Sequence, residues 1–300
     1  MSKDWEKLLV ERLCNHAHRD GGWSYSPSGT VCAEATSLAC MALTVRSTRT
    51  DVVEEGLALL AGMQHRDGSI PVVRNMEAPA WTTGLAILAW CSAAAEFSFD
   101  AQKESAVAWL LRTRSKTIDP NPSVYGHDTM LTGWSWVADT HAWVEPTAYA
   151  VLALRAAGKA AHPRAGEGAR LILDRAIPTG GWNYGNPRVY RNTLRPFPGP
   201  TGVALAALTD QTADSRIETG ITYLRNELER VRSPMSLGWG LIGLSAWGRR
   251  PPDAPAWLEE SAIRSLRRPP NALFDSLLLL AAVEPCPIPA PPLEAATSHG

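Results

Sequence analysis

The sequence predicts an all-α protein made of six helical hairpins. Three observations carry that expectation: an internal repeat marked by glycine and tryptophan, two kinds of helical pattern that alternate along the chain, and no strand-period pattern to compete with them. His18-Arg19-Asp20-Gly21 returns as His65-Arg66-Asp67-Gly68, and Gly21-Gly22-Trp23-Ser24-Tyr25 returns as Gly180-Gly181-Trp182-Asn183-Tyr184. Gly133-Trp134-Ser135-Trp136 is a shorter copy. The spacing repeats as well: Trp23 precedes Glu34-Ala35-Thr36 by eleven positions, and Trp134 precedes Glu145-Pro146-Thr147 by the same eleven. Ile70, in the Trp place of the second copy, precedes Trp81-Thr82-Thr83 by eleven again.

Before each glycine turn lies an amphipathic stretch, as Leu57, Leu60, Ala61 and Gln64 show, and such a stretch makes a surface helix. After the turn lies a mostly apolar one, such as 148–154 or 202–208, and a helix apolar all round is buried. Outer helices are therefore expected near 4–17, 51–64, 100–114, 162–175, 214–230 and 255–267. Inner ones are expected near 33–45, 80–94, 145–157, 200–209, 235–247 and 271–283. The last two pairs lack the Gly-Trp turn and rest on periodicity alone. Two connections are long, 115–133 and 183–199. Residues 284–300 carry Pro285, Pro287, Pro289, Pro291 and Pro292, which excludes helix and predicts an extended strap or a disordered tail after a single domain over 1–283.

Composition narrows the function. Of 300 residues 45% are hydrophobic and 20% charged, enough for a sizeable core. A net charge of −1 gives no global attraction to nucleic acid or anionic lipid. Five cysteines without a CxxC pair read as a reducing, cytoplasmic setting. The start, Met1 to Glu6, lacks a signal-peptide pattern, and no apolar run reaches the ~18 residues of a spanning helix. Twelve Trp against four Phe is an unusual ratio.

The Asp-Gly-x-Trp turn after an outer helix, with Thr-Ala at the start of an inner one, resembles the repeats of the terpene cyclase and protein prenyltransferase superfamily, over roughly residues 5–283. The resemblance implies an (α/α)6 barrel, six inner helices around a central cavity and six outside. In class II cyclases of the squalene–hopene and oxidosqualene type, the motif Asp-x-Asp-Asp-Thr-Ala carries the acid that protonates an alkene or epoxide. Aligned through Thr-Ala, the match here is Trp143-Val144-Glu145-Pro146-Thr147-Ala148, with Glu145 in the place of the acid. The Asp-x-Cys motif of the zinc prenyltransferases, the thioester Gly-Cys-Gly-Glu-Gln and a lanthipeptide-cyclase Cys/Cys-His set are absent, so no metal and no cofactor are expected.

Glu145 is thus the candidate general acid or base, with His141 one helical turn earlier to orient it and Asp139 to hold His141. The competing reading makes Glu145 a helix-start residue stabilised by free N–H groups and the dipole, with Pro146 in the first turn. Glu34 is its counterpart in the first repeat. In a six-membered ring of helices ~10 Å apart, repeats one and three lie ~17 Å apart, and inward side chains would bring the carboxylates to ~8–10 Å, a separation that suits acid–base work across a substrate. Trp81, Trp143, Trp239 and Phe274 fall near inner-helix starts, where they line the cavity or simply pack. Trp23, Trp134 and Trp182 read as structural ties. His127 and Asp128 in one long loop, and Arg188, Arg191 and Arg195 in the other, edge the same opening as Glu145. The arginines could bind a diphosphate or carboxylate head group, or stay solvated.

Three functions follow. The first is a class II terpene cyclase or isomerase acting on an isoprenoid. The second is a non-catalytic isoprenoid or lipid binder, or a scaffold. The third is an acid–base hydrolase or lyase built on Glu34 and Glu145. The expected partner is a hydrophobic isoprenoid, with room for a peripheral membrane contact, no nucleic acid, and an oligomeric state left open.

Overall fold

A computed structural model describes residues 4–285 and 288. Twelve helices alternate outside and inside. The outer set is α1 (Asp4–Asn15), α3 (Thr50–Met63), α5 (Asp100–Arg112), α7 (Pro163–Asp174), α9 (Ser215–Leu228) and α11 (Ala254–Leu266). The inner set is α2 (Ala33–Thr44), α4 (Thr83–Ser92), α6 (Val144–Ala156), α8 (Pro198–Ala207), α10 (Pro234–Ala246) and α12 (Ala272–Ala281). The only sheet among the described residues is a hairpin in the second long loop, β1 (Arg188–Val189) against β2 (Asn192–Thr193). Each inner helix packs on the next, and α12 packs on α2, so the inner ring closes. Each outer helix α3, α5, α9 and α11 leans on both the inner helix before it and the one after it.

The helix patterns explain the layers. Every residue of α4 from Thr83 to Trp90 is buried, and α6 is buried from Val144 to Arg155, because both are enclosed on all sides. On α9 burial is confined to Ile217, Gly220, Ile221, Leu224 and Leu228, one stripe of an amphipathic helix. Starts are set by caps: Asp214 accepts the Arg216 N–H at 3.0 Å, and Asn271 accepts the Phe274 N–H at 3.1 Å.

The repeat is a hydrogen-bonded tie. The backbone N–H of Trp23 donates to Thr36 Oγ1 at 3.0 Å, that of Ile70 to Thr83 at 2.9 Å, that of Trp134 to Thr147 at 3.1 Å and that of Trp182 to Thr201 at 2.9 Å. The indole N–H groups of Trp23, Trp134 and Trp182 donate to outer-helix carbonyls of Leu13, Leu110 and Ile172 at 2.9, 3.2 and 2.7 Å. Each of these three rings also lies against a glycine of the next outer helix, Gly56, Gly168 or Gly220; a Cβ on Gly220 would stand 2.6 Å from the Trp182 ring. One tryptophan thereby joins two outer helices and one inner helix, and the eleven-residue spacing follows.

Two contacts close the ring. Gly202 lets α8 and α10 meet backbone to backbone, where a Cβ would lie 2.1 Å from the Trp239 carbonyl oxygen. Arg12 of α1 forms a bidentate ion pair with Asp275 of α12, with Nε to Oδ2 at 2.8 Å, and also bonds the Ser265 carbonyl at 3.0 Å. Of the Pro-rich tail, 286, 287 and 289–300 lie outside the described residues; Glu284 pairs with Arg250 at 2.6 Å, and Ile288 is buried.

Candidate active site at the barrel mouth

All outer-to-inner connections run at one end of the ring, where the inner helices begin. Glu34 sits in the first turn of α2 and Glu145 in the first turn of α6, with α4 between them. Both side chains are nearly buried, at 9% exposure. The Tyr25 hydroxyl donates to Glu34 Oε2 at 2.5 Å. No described residue hydrogen-bonds the Glu145 carboxyl.

Electrostatics couple the two acids. Burial raises the Glu34 carboxyl, and the Tyr25 bond holds it partly back. Burial, and then the negative charge of Glu34, push Glu145 up to about 8. The Tyr149 hydroxyl, one turn below Glu145, is driven well above its ordinary value by burial and then by Glu145 and Glu34. Tyr184 rises from burial and the charge of Glu145. The carboxyl that has a donor is the more easily ionised of the two, and Glu145, which has none and also feels the charge of Glu34, holds its proton to about 8.

Rings make the floor. Tyr149 stacks on Trp81 at 6.0 Å and meets Trp239 at 5.6 Å, while Trp136 stands edge-on to Trp81 at 4.7 Å. Tyr149 is 3% exposed and Trp239 2%, so these side chains fill the lumen below the acids. The deep central cavity implied by the sequence resemblance is replaced at this level by packed aromatics. On the side of the short links 229–233 and 267–271, a cleft of about 610 Å³ runs past Tyr25, Arg232, Arg268 and Phe274.

Other sequence candidates are placed differently. His141 does not orient Glu145: it is exposed, pairs by backbone with Lys116, and rests its ring on Trp143 at 4.9 Å. The reason is local. The helix begins at Val144 with Trp143 extended as its cap, so His141 is not on the helix and the i, i+4 geometry does not arise. Asp139 is exposed in a turn at φ 61° and makes no bond to His141. Trp143 lies against Gly185 and His141, away from the Tyr149 cluster. Arg188, Arg191 and Arg195 are exposed and form no ion pair among the described residues. Their loop is stitched to the other long loop, with the Tyr190 N–H donating to Val124 O at 2.9 Å and Gly126 N–H to Arg188 O at 3.2 Å. His127 packs on Tyr125, and the Asp128 N–H donates to Asp174 at 3.0 Å. No three metal-ligating side chains gather among the described residues.

Tyr25, Tyr149, Tyr184 and Trp136 escaped the sequence reading. Three of them were marked there: Tyr25, Trp136 and Tyr184 each stand two residues past the turn tryptophan, so that place in the repeat supplies an aromatic ring to the mouth. Tyr149 had no comparable mark.

No family model and no curated protein matches the sequence. Solved structures do match. An α-amylase from Clostridium perfringens superposes with a TM-score of 0.64 at 10% identity, over 92% of this chain and 96% of that one. A GH8 xylobiose complex from Teredinibacter turnerae gives 0.55 at 12% identity, over 96% and 94%. A type II terpene cyclase from Scytonema gives 0.54 at 14% identity, over 88% and 78%. The chain folds as an α/α toroid. At these identities the likeness is one of fold, and the same toroid serves glycosidases and a terpene cyclase alike. No described helix is long and apolar enough to cross a membrane.

Proposed function

We propose that this toroid is an acid–base hydrolase that cleaves a C–O bond of the acetal or glycosidic kind in a substrate seated at the barrel mouth. The observation that carries the reading is the unequal pair: Glu145 pushed up to about 8 with no donor on its carboxyl, and Glu34 with the Tyr25 hydroxyl bonded to it. Glu145 gives its proton to the leaving-group oxygen as the C–O bond breaks. Glu34 takes a proton from the water whose oxygen bonds to the carbon. The strength of the acid favours this chemistry. A carboxyl held at about 8 matches a leaving-group oxygen at neutral pH, whereas an unactivated alkene asks for a much stronger acid. The filled lumen also leaves the substrate at the mouth.

The aromatic floor of Trp81, Tyr149 and Trp239 favours a second reading, a cyclase or isomerase whose cationic intermediates rest on those rings. One experiment separates them: chromogenic aryl glycosides and a set of linear isoprenoids are each offered to the wild type and to Glu145→Gln. The hydrolase reading expects aryl alcohol release that falls as pH rises through about 8, and a loss of about a hundredfold or more in the variant. Turnover of isoprenoids alone would replace it with the second reading. Glycoside cleavage undiminished in the variant would remove Glu145 as the acid.

A further inference from the structure

Four of the twelve tryptophans meet around one cavity of about 150 Å³ beside the candidate active site: Trp81, Trp109, Trp134 and Trp136. The repeat tie accounts for Trp134 alone. Trp81 and Trp136 stand edge to face, at 84° with centroids 4.7 Å apart, and both line the cavity, so the lining is not one flat platform. Trp109 of α5 lines the same cavity. Two carboxylates, Asp67 and Glu77, complete the lining, and no basic side chain is among the lining residues. Arg112 bonds the Asp67 carbonyl at 2.8 Å without being among the lining residues. Asp67 is kept ionised: burial pushes its carboxyl up, but bonds from the Ser69 N–H and hydroxyl and the nearby His65 and Trp109 outweigh burial and bring it down.

We propose that this pocket, boxed by Trp81, Trp109 and Trp136 and edged by Asp67 and Glu77, binds a small organic ammonium ion, a quaternary or methylated amine. Indole faces carry negative potential, and perpendicular faces surround a rounded cation, whereas a sugar ring stacks on a single flat face. The carboxylates add charge complementarity. The volume is below the roughly 300 Å³ of pockets that take drug-sized ligands, which fits a head group rather than a disaccharide. The cluster already receives one cation, since Arg164 lies 4.0 Å from the Trp134 ring centroid. The site does not depend on the hydrolase reading.

The test is calorimetric titration of the full chain with choline chloride at fixed ionic strength, with neohexanol, its uncharged carbon isostere, as the control. The expected result is saturable choline binding about tenfold or more tighter than neohexanol, since the π-face attraction acts on the charged ligand alone. Trp136→Leu should abolish it, with circular dichroism checking the fold. Glu77→Gln, at an exposed position, should weaken it severalfold without touching the core. Equal affinity for choline and neohexanol, absence of saturable choline binding, or binding of xylobiose in preference to choline would each overturn the proposal.

Discussion

Glu145 keeps a proton that its position in the helix opposes. A helix N-terminus favours a carboxylate by about 0.3–1 kcal/mol, up to ~2 where partly buried. Burial beside Glu34 moves the group from 4.5 to about 8, a cost to the charged form of roughly 5 kcal/mol, so burial outweighs the dipole. The consequence for stability has a definite sign. In the unfolded chain Glu145 ionises near its ordinary value, while in the folded chain it stays protonated up to about 8, so the native state binds the extra proton between these limits. Stability is therefore lost as pH rises across that window, by a few kcal/mol in all. Glu145→Gln removes the titration, and thermal melts across the same window should show the variant gaining on the wild type as pH rises. Parallel profiles would contradict the burial account. Both acids were legible in the sequence because they share one place in the repeat. That His141 does not orient Glu145 was not, because the sequence did not show that the helix starts at Val144, which leaves a residue four places before Glu145 outside it.

At the scale of the elements, the tie between turn and inner helix sets the architecture. Thr147 illustrates it: its hydroxyl accepts the Trp134 N–H at 3.1 Å and returns a bond to the Trp134 carbonyl at 3.2 Å, both buried. Thr147→Val keeps the shape and leaves the buried Trp134 N–H without a partner, while the Trp134 carbonyl keeps the Trp143 N–H at 3.1 Å, so a loss of about 1–3 kcal/mol is expected from urea denaturation. A change within 0.5 kcal/mol, the usual range for a neutral substitution, would mean that the tie carries no stability. The helices themselves were legible, including the last two pairs, because the contrast between striped and all-apolar segments survives without the Gly-Trp mark. The start of α4 was less so. The sequence reading begins it at 80, but Ala80 to Thr82 form the turn that carries Trp81 to the mouth, and Thr83 N–H donates to Ala80 O at 3.2 Å.

For the whole molecule, the ring depends on joining its two ends. Arg12 and Asp275 do so with side chains only 10% and 1% exposed. Arg12→Ala strands the Asp275 carboxylate, and a loss of about 3–5 kcal/mol in equilibrium unfolding is expected, the range for breaking a buried pair from one side. A loss below 1 kcal/mol would show that helix packing alone closes the ring. Nothing in the sequence marks this pair, since its members lie 263 residues apart and neither falls in the repeat. Nor could it show that Tyr149 and Trp239, from helices two places apart in the ring, meet in the lumen and close it.

The two acids at the mouth are the centre of the functional account, and their protonation can be read directly. Glutamate carboxyl carbons, labelled with ¹³C, are followed by NMR from acid to alkaline pH in the wild type and in Glu34→Gln. The account predicts one wild-type carboxyl, assigned to Glu145 by its loss in Glu145→Gln, titrating near 8. In Glu34→Gln that midpoint moves down, because the neighbouring charge is gone, yet stays above the ordinary glutamate value, because burial remains. If every glutamate instead titrates within the usual range of about 4–5, with no response at Glu145 to the loss of Glu34, the unequal pair does not exist and the acid–base reading falls with it.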